Sequence, residues 1–229
     1  MRRALIVVAK RPVMGQTKTR LTPPFTPRQA TEMYECLLRD TLDVMTQVAE
    51  VQPILAYAPA DAEPYFRSVC PPAFDLQPQV GTDLGSRLHN ALAQTLANGY
   101  RQAVVMDSDS PTLPPAYLRH AFAELDDSAT DVVLGPCDDG GYYLIGVKEP
   151  CAGLFDIAMS TPTVLRQTLA AAEAAGRRVA LLPTWYDVDT VQEVERLRAE
   201  LMADPAVFAP RTRTMLARLS ASVGELSTR

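Results

Sequence analysis

Apolar, β-branched runs of strand length recur at residues 4–9, 53–57, 103–106, 132–134, 142–147 and 179–182, and each predicts a buried strand. Between them the apolar positions fall at helical spacing. Thr26 and Pro27 open one helix, in which Ala30, Met33, Leu37 and Met45 form a stripe with Leu38 and Leu42 beside it. Asp83 reads as the N-cap of a second, which carries Leu84, Leu88, Ala91, Leu92 and Leu96 and stops at Asn98-Gly99. Residues 114–125, 162–175 and 190–202 predict three more helices. This βαβα order implies an α/β fold, a mostly parallel sheet with helices on both faces. The run at 142–147 follows 132–134 too closely for a helical crossover, so antiparallel pairing is expected there. Residues 1–202 are expected to form one domain. Residues 203–229 are expected to extend it, as a terminal helix over 215–219 or as a loose tail.

Composition narrows the chemistry. The chain has 229 residues, 47% apolar and 21% charged, enough to bury a large core and too apolar for disorder. The first apolar run is six residues long and meets Lys10 and Arg11 at once, so neither a signal segment nor a membrane span is read there, and a cytoplasmic address is expected. Cys36, Cys70, Cys137 and Cys151 contain no C-x-x-C pair, which argues against a zinc knuckle or a disulfide framework. With only His89 and His120, imidazole-rich metal sites are excluded and few Ser-His-Asp or Cys-His arrangements are left. Carboxylates are the remaining carriers of chemistry.

Charge is unevenly spread. Twenty-two basic and 27 acidic residues give a net −5, against a nucleic-acid or membrane coat. Residues 1–31, however, hold seven basic residues and no acid. Ligands of open α/β sheets gather beyond the carboxyl ends of the strands. After the first strand comes a loop with Lys10, Gly15, Lys18 and Arg20, suited to phosphate through a point charge, a forked donor and close backbone approach. A solvated surface loop is the alternative. It is neither a Walker loop nor G-x-G-x-x-G. Asp107 and Asp109 follow the run at 103–106, where alternation would put both carboxylates on one side for Mg2+ or Mn2+; a turn capping the next helix competes. Asp138, Asp139, Gly140 and Gly141 follow 132–134 as a ligand-lining loop, a tight D-G turn, or both. Asp187 and Asp189 follow 179–182 as metal ligands, unless Asp189 or Thr190 merely caps the next helix. Together, three acidic strand ends and one basic loop would assemble a metal-and-diphosphate site.

These blocks carry a resemblance. Ala9-Lys10-x-Pro12-x-x-Gly15-x-x-Lys18-Thr19-Arg20-Leu21, Asp83-Leu84-Gly85-x-Arg87, Asp107-Ser108-Asp109-Ser110-Pro111, Gly135-Pro136-x-x-Asp139-Gly140-Gly141-Tyr142-Tyr143 and Asp187-Val188-Asp189-Thr190 resemble, in order over residues 4–200, a bacterial glycosyltransferase-like family often left as a domain of unknown function. The resemblance implies a single-domain nucleotide-diphospho-sugar transferase fold of the GT-A type. Its superfamily also holds the molybdenum-cofactor and phospholactate guanylyltransferases, so fold does not decide the reaction. Some members are associated with arsenosugar biosynthesis, a substrate hint. Carried over, Gly15, Lys18 and Arg20 match the nucleotide-phosphate loop, and Asp83, Gly85 and Arg87 a block near the nucleotide. Asp109 matches the metal-binding acid and Asp189 a second metal or phosphate-side acid. Asp139, Gly140 and Gly141, with Tyr142, match the sugar or acceptor pocket. Two positions depart: Asp107 replaces a common Gly, leaving it a turn residue or an extra metal ligand, and Met159 replaces a common Trp.

The reading is a transferase that uses Mg2+ or Mn2+ to pass a sugar from a nucleotide-sugar to a small acceptor. Asp109, aided by Asp189, would carry the metal, and Asp139 would orient or deprotonate the acceptor. A nucleotidylyltransferase that uses a nucleoside triphosphate and releases pyrophosphate is the alternative, although the glycine-rich triphosphate loop of that class is reduced here to one glycine beside Pro12. A non-catalytic nucleotide-binding protein is the third reading. No nucleic-acid partner is expected.

Overall fold

The computed structural model describes residues 2–151 and 153–226, the last seven of these without their side chains. Seven strands form one sheet: β1 (Arg3–Lys10), β2 (Gln52–Ala58), β3 (Asp75–Pro78), β4 (Gln102–Met106), β5 (Val132–Pro136), β6 (Tyr142–Val147) and β7 (Val179–Leu181). Their spatial order is β3-β2-β1-β4-β6-β5-β7. All pairings are parallel except those of β6, which runs antiparallel to both β4 and β5. The short 132–147 hairpin therefore supplies the antiparallel strand that its length demands.

The helices are α1 (Pro27–Thr46), α2 (Glu63–Val69), α3 (Leu84–Ala97), α4 (Pro115–Asp126), α5 (Val164–Ala174), α6 (Val191–Ala203) and α7 (Pro210–Leu226). Period-two alternation in β1 sorts them onto two faces. Leu5, Val7 and Ala9 pack with Leu38 and Leu42 of α1, Phe66 of α2 and Leu118 and Phe122 of α4. Ala4 and Ile6 pack with Leu88 and Leu92 of α3 and Ala172 of α5. α1 starts where its sequence says it should: the Thr26 hydroxyl accepts from the Gln29 N–H at 3.2 Å while the Gln29 carboxamide accepts from the Thr26 N–H at 2.8 Å, a reciprocal cap worth about 1 kcal/mol.

Three elements differ from the sequence expectation. β3 lies at the sheet edge and has four residues with no buried alternation, so it carried no periodic signal. α2 was also absent from the sequence reading. At the C-terminus the expected terminal helix over 215–219 forms but is longer: α7 begins at Pro210 and runs to Leu226, and residues 227–229 lie outside the described residues. Met215, Leu216 and Leu219 join Met33 and Leu37 of α1 and Val194 and Leu197 of α6 in a third cluster. The fully buried Asp40 carboxylate of α1 fastens this layer, accepting from the Thr212 N–H at 2.8 Å and from Arg211 Nη1 at 3.0 Å. Among the described residues no helix is long and apolar enough to cross a membrane.

Candidate functional site

β1, β4 and β5 end on the same edge of the sheet, and the loops that leave them converge there. β4 ends at Met106 and the chain turns at once. The half-buried Asp107 carboxylate accepts from the Asp109 N–H at 3.2 Å and from the Ser110 hydroxyl at 2.8 Å. Asp107 therefore caps its own turn, a local use of a short carboxylate, while staying close enough to Asp109 for the two charges to repel. Burial, then Asp109 and Asp187, hold its carboxyl well above the usual range. The helix that follows does not use this turn as its cap; α4 starts after Pro114 with no side-chain cap.

Asp187 and Asp189 also arrive by another route than the expected strand end. β7 stops at Leu181, and the chain continues extended, bridged at Trp185 to Cys137. Val188 N–H then donates to the Asp109 carbonyl at 3.1 Å, and the Ser110 hydroxyl lies 3.1 Å from the Tyr186 carbonyl. Thr190 is the N-cap of α6, its N–H held by the Glu193 carboxylate at 2.6 Å, so Asp189 is not spent on capping.

The result is a triad: one carboxylate oxygen each from Asp109, Asp187 and Asp189 lies within 4.8 Å of the others. Lys18 enters it from the β1 loop, its Nζ donating to both Asp109 and Asp189 with its side chain 7% exposed. Burial alone would lower the Lys18 pKa, but the two carboxylates more than offset this and raise it. Lys18 in turn holds Asp189 below the usual carboxylate range against the effect of burial. Arg20 stands at the mouth, 3.4 Å from Asp189 and largely exposed. Asp187 differs from its neighbours: among the described residues no N–H or O–H donates to its carboxylate. Burial, then repulsion from Asp109 and Asp189, pushes it up to about 7.

Beside the triad opens a cavity of about 470 Å3, lined by Asp107, Asp187, Asp189, Arg20, Asp139, Gly141 and Tyr142 among others. Its apolar wall comes from Leu84 and Leu88 of α3 and from the 159–162 loop. Asp139 sits in the turn between β5 and β6, where Oδ1 accepts from the Gly141 N–H at 2.8 Å. Asp139, Cys137 and Asp187 also place one ligand atom each within 4.8 Å. Gly140 does not line the cavity. It takes φ +88°, and a Cβ there would lie 2.1 Å from the Pro162 carbonyl oxygen.

Other expected residues stand apart. Asp83 caps α3, accepting from the Ser86 N–H at 2.8 Å, which holds its carboxyl below the usual range. A Cβ on Gly85 would lie 2.6 Å from the Phe155 carbonyl, so this glycine admits close packing of the 155 segment. Arg87 Nε donates to the Gly81 carbonyl at 3.0 Å. None of these three lines the cavity, although their neighbours Leu84 and Leu88 do. Lys10, at the end of β1, and Gly15, at the loop tip, are both exposed and likewise lie outside the cavity lining. Sequence reading missed Cys137 and Tyr34, whose hydroxyl is 2.9 Å from Ser108 and whose ring lies 5.9 Å from Lys18 Nζ. A polar tyrosine inside the apolar stripe of α1 was the available signal for the last of these.

The family described as "Uncharacterized protein conserved in bacteria" (DUF2064) matches residues 41–161. No curated protein matches the chain. Among solved structures, a candidate nucleotide-diphospho-sugar transferase from Desulfovibrio desulfuricans G20 is similar at 29% identity and a TM-score of 0.86, with 98% of each chain covered. A CMP:2-keto-3-deoxy-manno-octonic acid synthetase solved with CTP shares the fold at 14% identity and TM-score 0.58, over 89% of this chain and 99% of that one. The Rv0371c protein of Mycobacterium tuberculosis H37Rv, solved with manganese, shares it at 22% identity and TM-score 0.51, over 86% and 98%.

Proposed function

Since the chain belongs to the DUF2064 family and carries the nucleotide-diphospho-sugar transferase fold, which makes it a transferase-class enzyme, we propose that it moves the sugar of a nucleotide-diphospho-sugar onto a small acceptor with a divalent cation. The observation that carries this reading is the triad of Asp109, Asp187 and Asp189 at the rim of the cavity, flanked by Lys18 and Arg20.

The donor set fits a hard cation. Three carboxylates suit Mg2+ or Mn2+, and the Asp187 carboxylate, with no donor of its own, is the group a cation would satisfy. The manganese in the Rv0371c structure supports the same choice. Once bound, the cation supplies positive charge against the departing nucleoside diphosphate. Arg20, exposed at the mouth, offers a forked donor to the phosphates and Lys18 a point charge. Asp139 presents its second oxygen beside the cavity, where it orients the acceptor hydroxyl and takes its proton as the new glycosidic bond forms and the old sugar–phosphate bond breaks. Leu84, Leu88 and Tyr142 exclude water around the reacting groups.

A thermal-shift panel of nucleoside diphosphates, triphosphates and diphospho-sugars tests this, each with and without Mn2+, on wild type and Asp109→Asn. A diphospho-sugar at about 100 times its Kd stabilises by about 2.7 kcal/mol. The expected result is stabilisation by a diphospho-sugar only with Mn2+, lost in the variant. Stabilisation by a triphosphate alone transfers the reading to a nucleotidylyltransferase, the activity of the CTP-bound fold relative.

A further inference from the structure

The Lys18 ammonium sits on two of the three carboxylates to which the metal was assigned. Its position is built, not incidental. The loop that carries it is closed by the Val13 N–H on the Thr17 hydroxyl at 2.8 Å and by the Gln16 and Thr17 N–H groups on the Val13 carbonyl at 3.0 and 3.1 Å. Lys18 itself takes φ 47°, ψ 46°, a left-handed conformation that a non-glycine residue rarely adopts. That conformation begins the turn whose Leu21 N–H returns to the Lys18 carbonyl at 3.0 Å. From there the side chain passes the Tyr34 ring and ends between Asp109 and Asp189. Tyr34 is itself tied to Ser108 of the Asp107–Ser110 turn, so α1, the β1 loop and the β4 loop together fix the ammonium.

An ammonium and a divalent cation cannot share the same pair of carboxylate oxygens. We propose that Lys18 is the internal counter-ion of this centre: it neutralises Asp109 and Asp189 while the site is empty, competes with the divalent cation, and is drawn off by the phosphates of the nucleotide, so that cation and nucleotide bind cooperatively. This rests on the metal-dependent reading above and adds to it an order of events. A displaced, nearly buried Lys18 needs a new anion, and a diphosphate held by Arg20 at the mouth provides it. By linkage, whatever nucleotide does for cation affinity, the cation does for nucleotide affinity.

Mn2+ alone is the probe, followed through the electron paramagnetic resonance of the free ion. Lys18→Met keeps the length of the side chain and removes the charge; it is expected to bind Mn2+ at least about tenfold tighter than wild type, a change of about 1.4 kcal/mol. Arg20→Met is expected to change it less than about threefold, because Arg20 is exposed and 3.4 Å from Asp189. Equal or weaker Mn2+ binding by Lys18→Met overturns the counter-ion role. Mn2+ binding that Asp109→Asn leaves intact overturns the metal assignment itself, which separates the two failures. Because Lys18→Met leaves two carboxylates facing each other, a measurement on wild-type protein stands beside it: acetylation of Lys18 by acetic anhydride, read by mass spectrometry, is expected to rise several-fold when Mg2+ is added. No change in labelling overturns the proposal.

Discussion

The Val188 N–H donates to the Asp109 carbonyl at 3.1 Å. That bond joins two loops separated along the chain by three strands, β5, β6 and β7, and it sets the carboxylates on either side of Val188 against that of Asp109. The triad is therefore a product of backbone docking between the β4 turn and the extended segment after β7, and the site depends on the sheet order that brings these loops together.

Asp187 should make the metal-free protein less stable as pH rises. Its carboxyl is pushed up to about 7 from an ordinary 3.8, so between about pH 4 and 7 the folded protein keeps a proton that the unfolded chain has released. Raising pH through this window costs stability, and the full loss is present above pH 7. Thermal melts of wild type and Asp187→Asn across the window test this: the variant should show the shallower decline. Parallel curves would mean that Asp187 titrates normally.

Gly140→Ala should destabilise the cavity wall. The position combines φ +88° with a Cβ that would lie 2.1 Å from the Pro162 carbonyl oxygen, backbone that cannot yield as a flexible side chain would. A loss of about 1–3 kcal/mol is expected from chemical denaturation. An unchanged midpoint would show that the 159–162 loop moves freely.

Asp40→Ala should loosen α7. The Thr212 N–H loses its acceptor and the Arg211 guanidinium keeps only Asp43, and a buried unsatisfied N–H costs about 1–3 kcal/mol. Hydrogen exchange should rise across α7 while β1 and β4 stay protected. Uniform loss of protection would mean instead that α7 belongs to the cooperative core of the sheet.

Much of this was legible in the sequence because its signals are local. The cap at Thr26, the cap at Asp83 and the stop at Asn98-Gly99 depend on neighbouring residues, and the βαβα order implied a mostly parallel sheet with helices on both faces. Asp109 and Asp189 stood out as acids after strands. What the sequence could not reveal was tertiary. Asp107 and Asp109 look equivalent in a strand register, yet the chain turns at Asp107 and uses its carboxylate on its own backbone. Asp187 looks like a strand-end residue, yet β7 stops at Leu181 and Asp187 is delivered by a bridge between Trp185 and Cys137. The basic loop suggested phosphate binding; only the structure places the Lys18 ammonium on the acids.

Product analysis tests the central claim most directly. Wild type and Asp109→Asn are incubated with diphospho-sugars or, separately, nucleoside triphosphates, a mixture of small hydroxyl acceptors and either Mn2+ or chelator, and nucleoside diphosphate and pyrophosphate are both quantified. The expected result is release of nucleoside diphosphate that requires Mn2+ and falls on the order of 100-fold or more in Asp109→Asn. Pyrophosphate release from a triphosphate with no diphosphate from any sugar donor, or turnover that Asp109→Asn leaves unchanged, would contradict it.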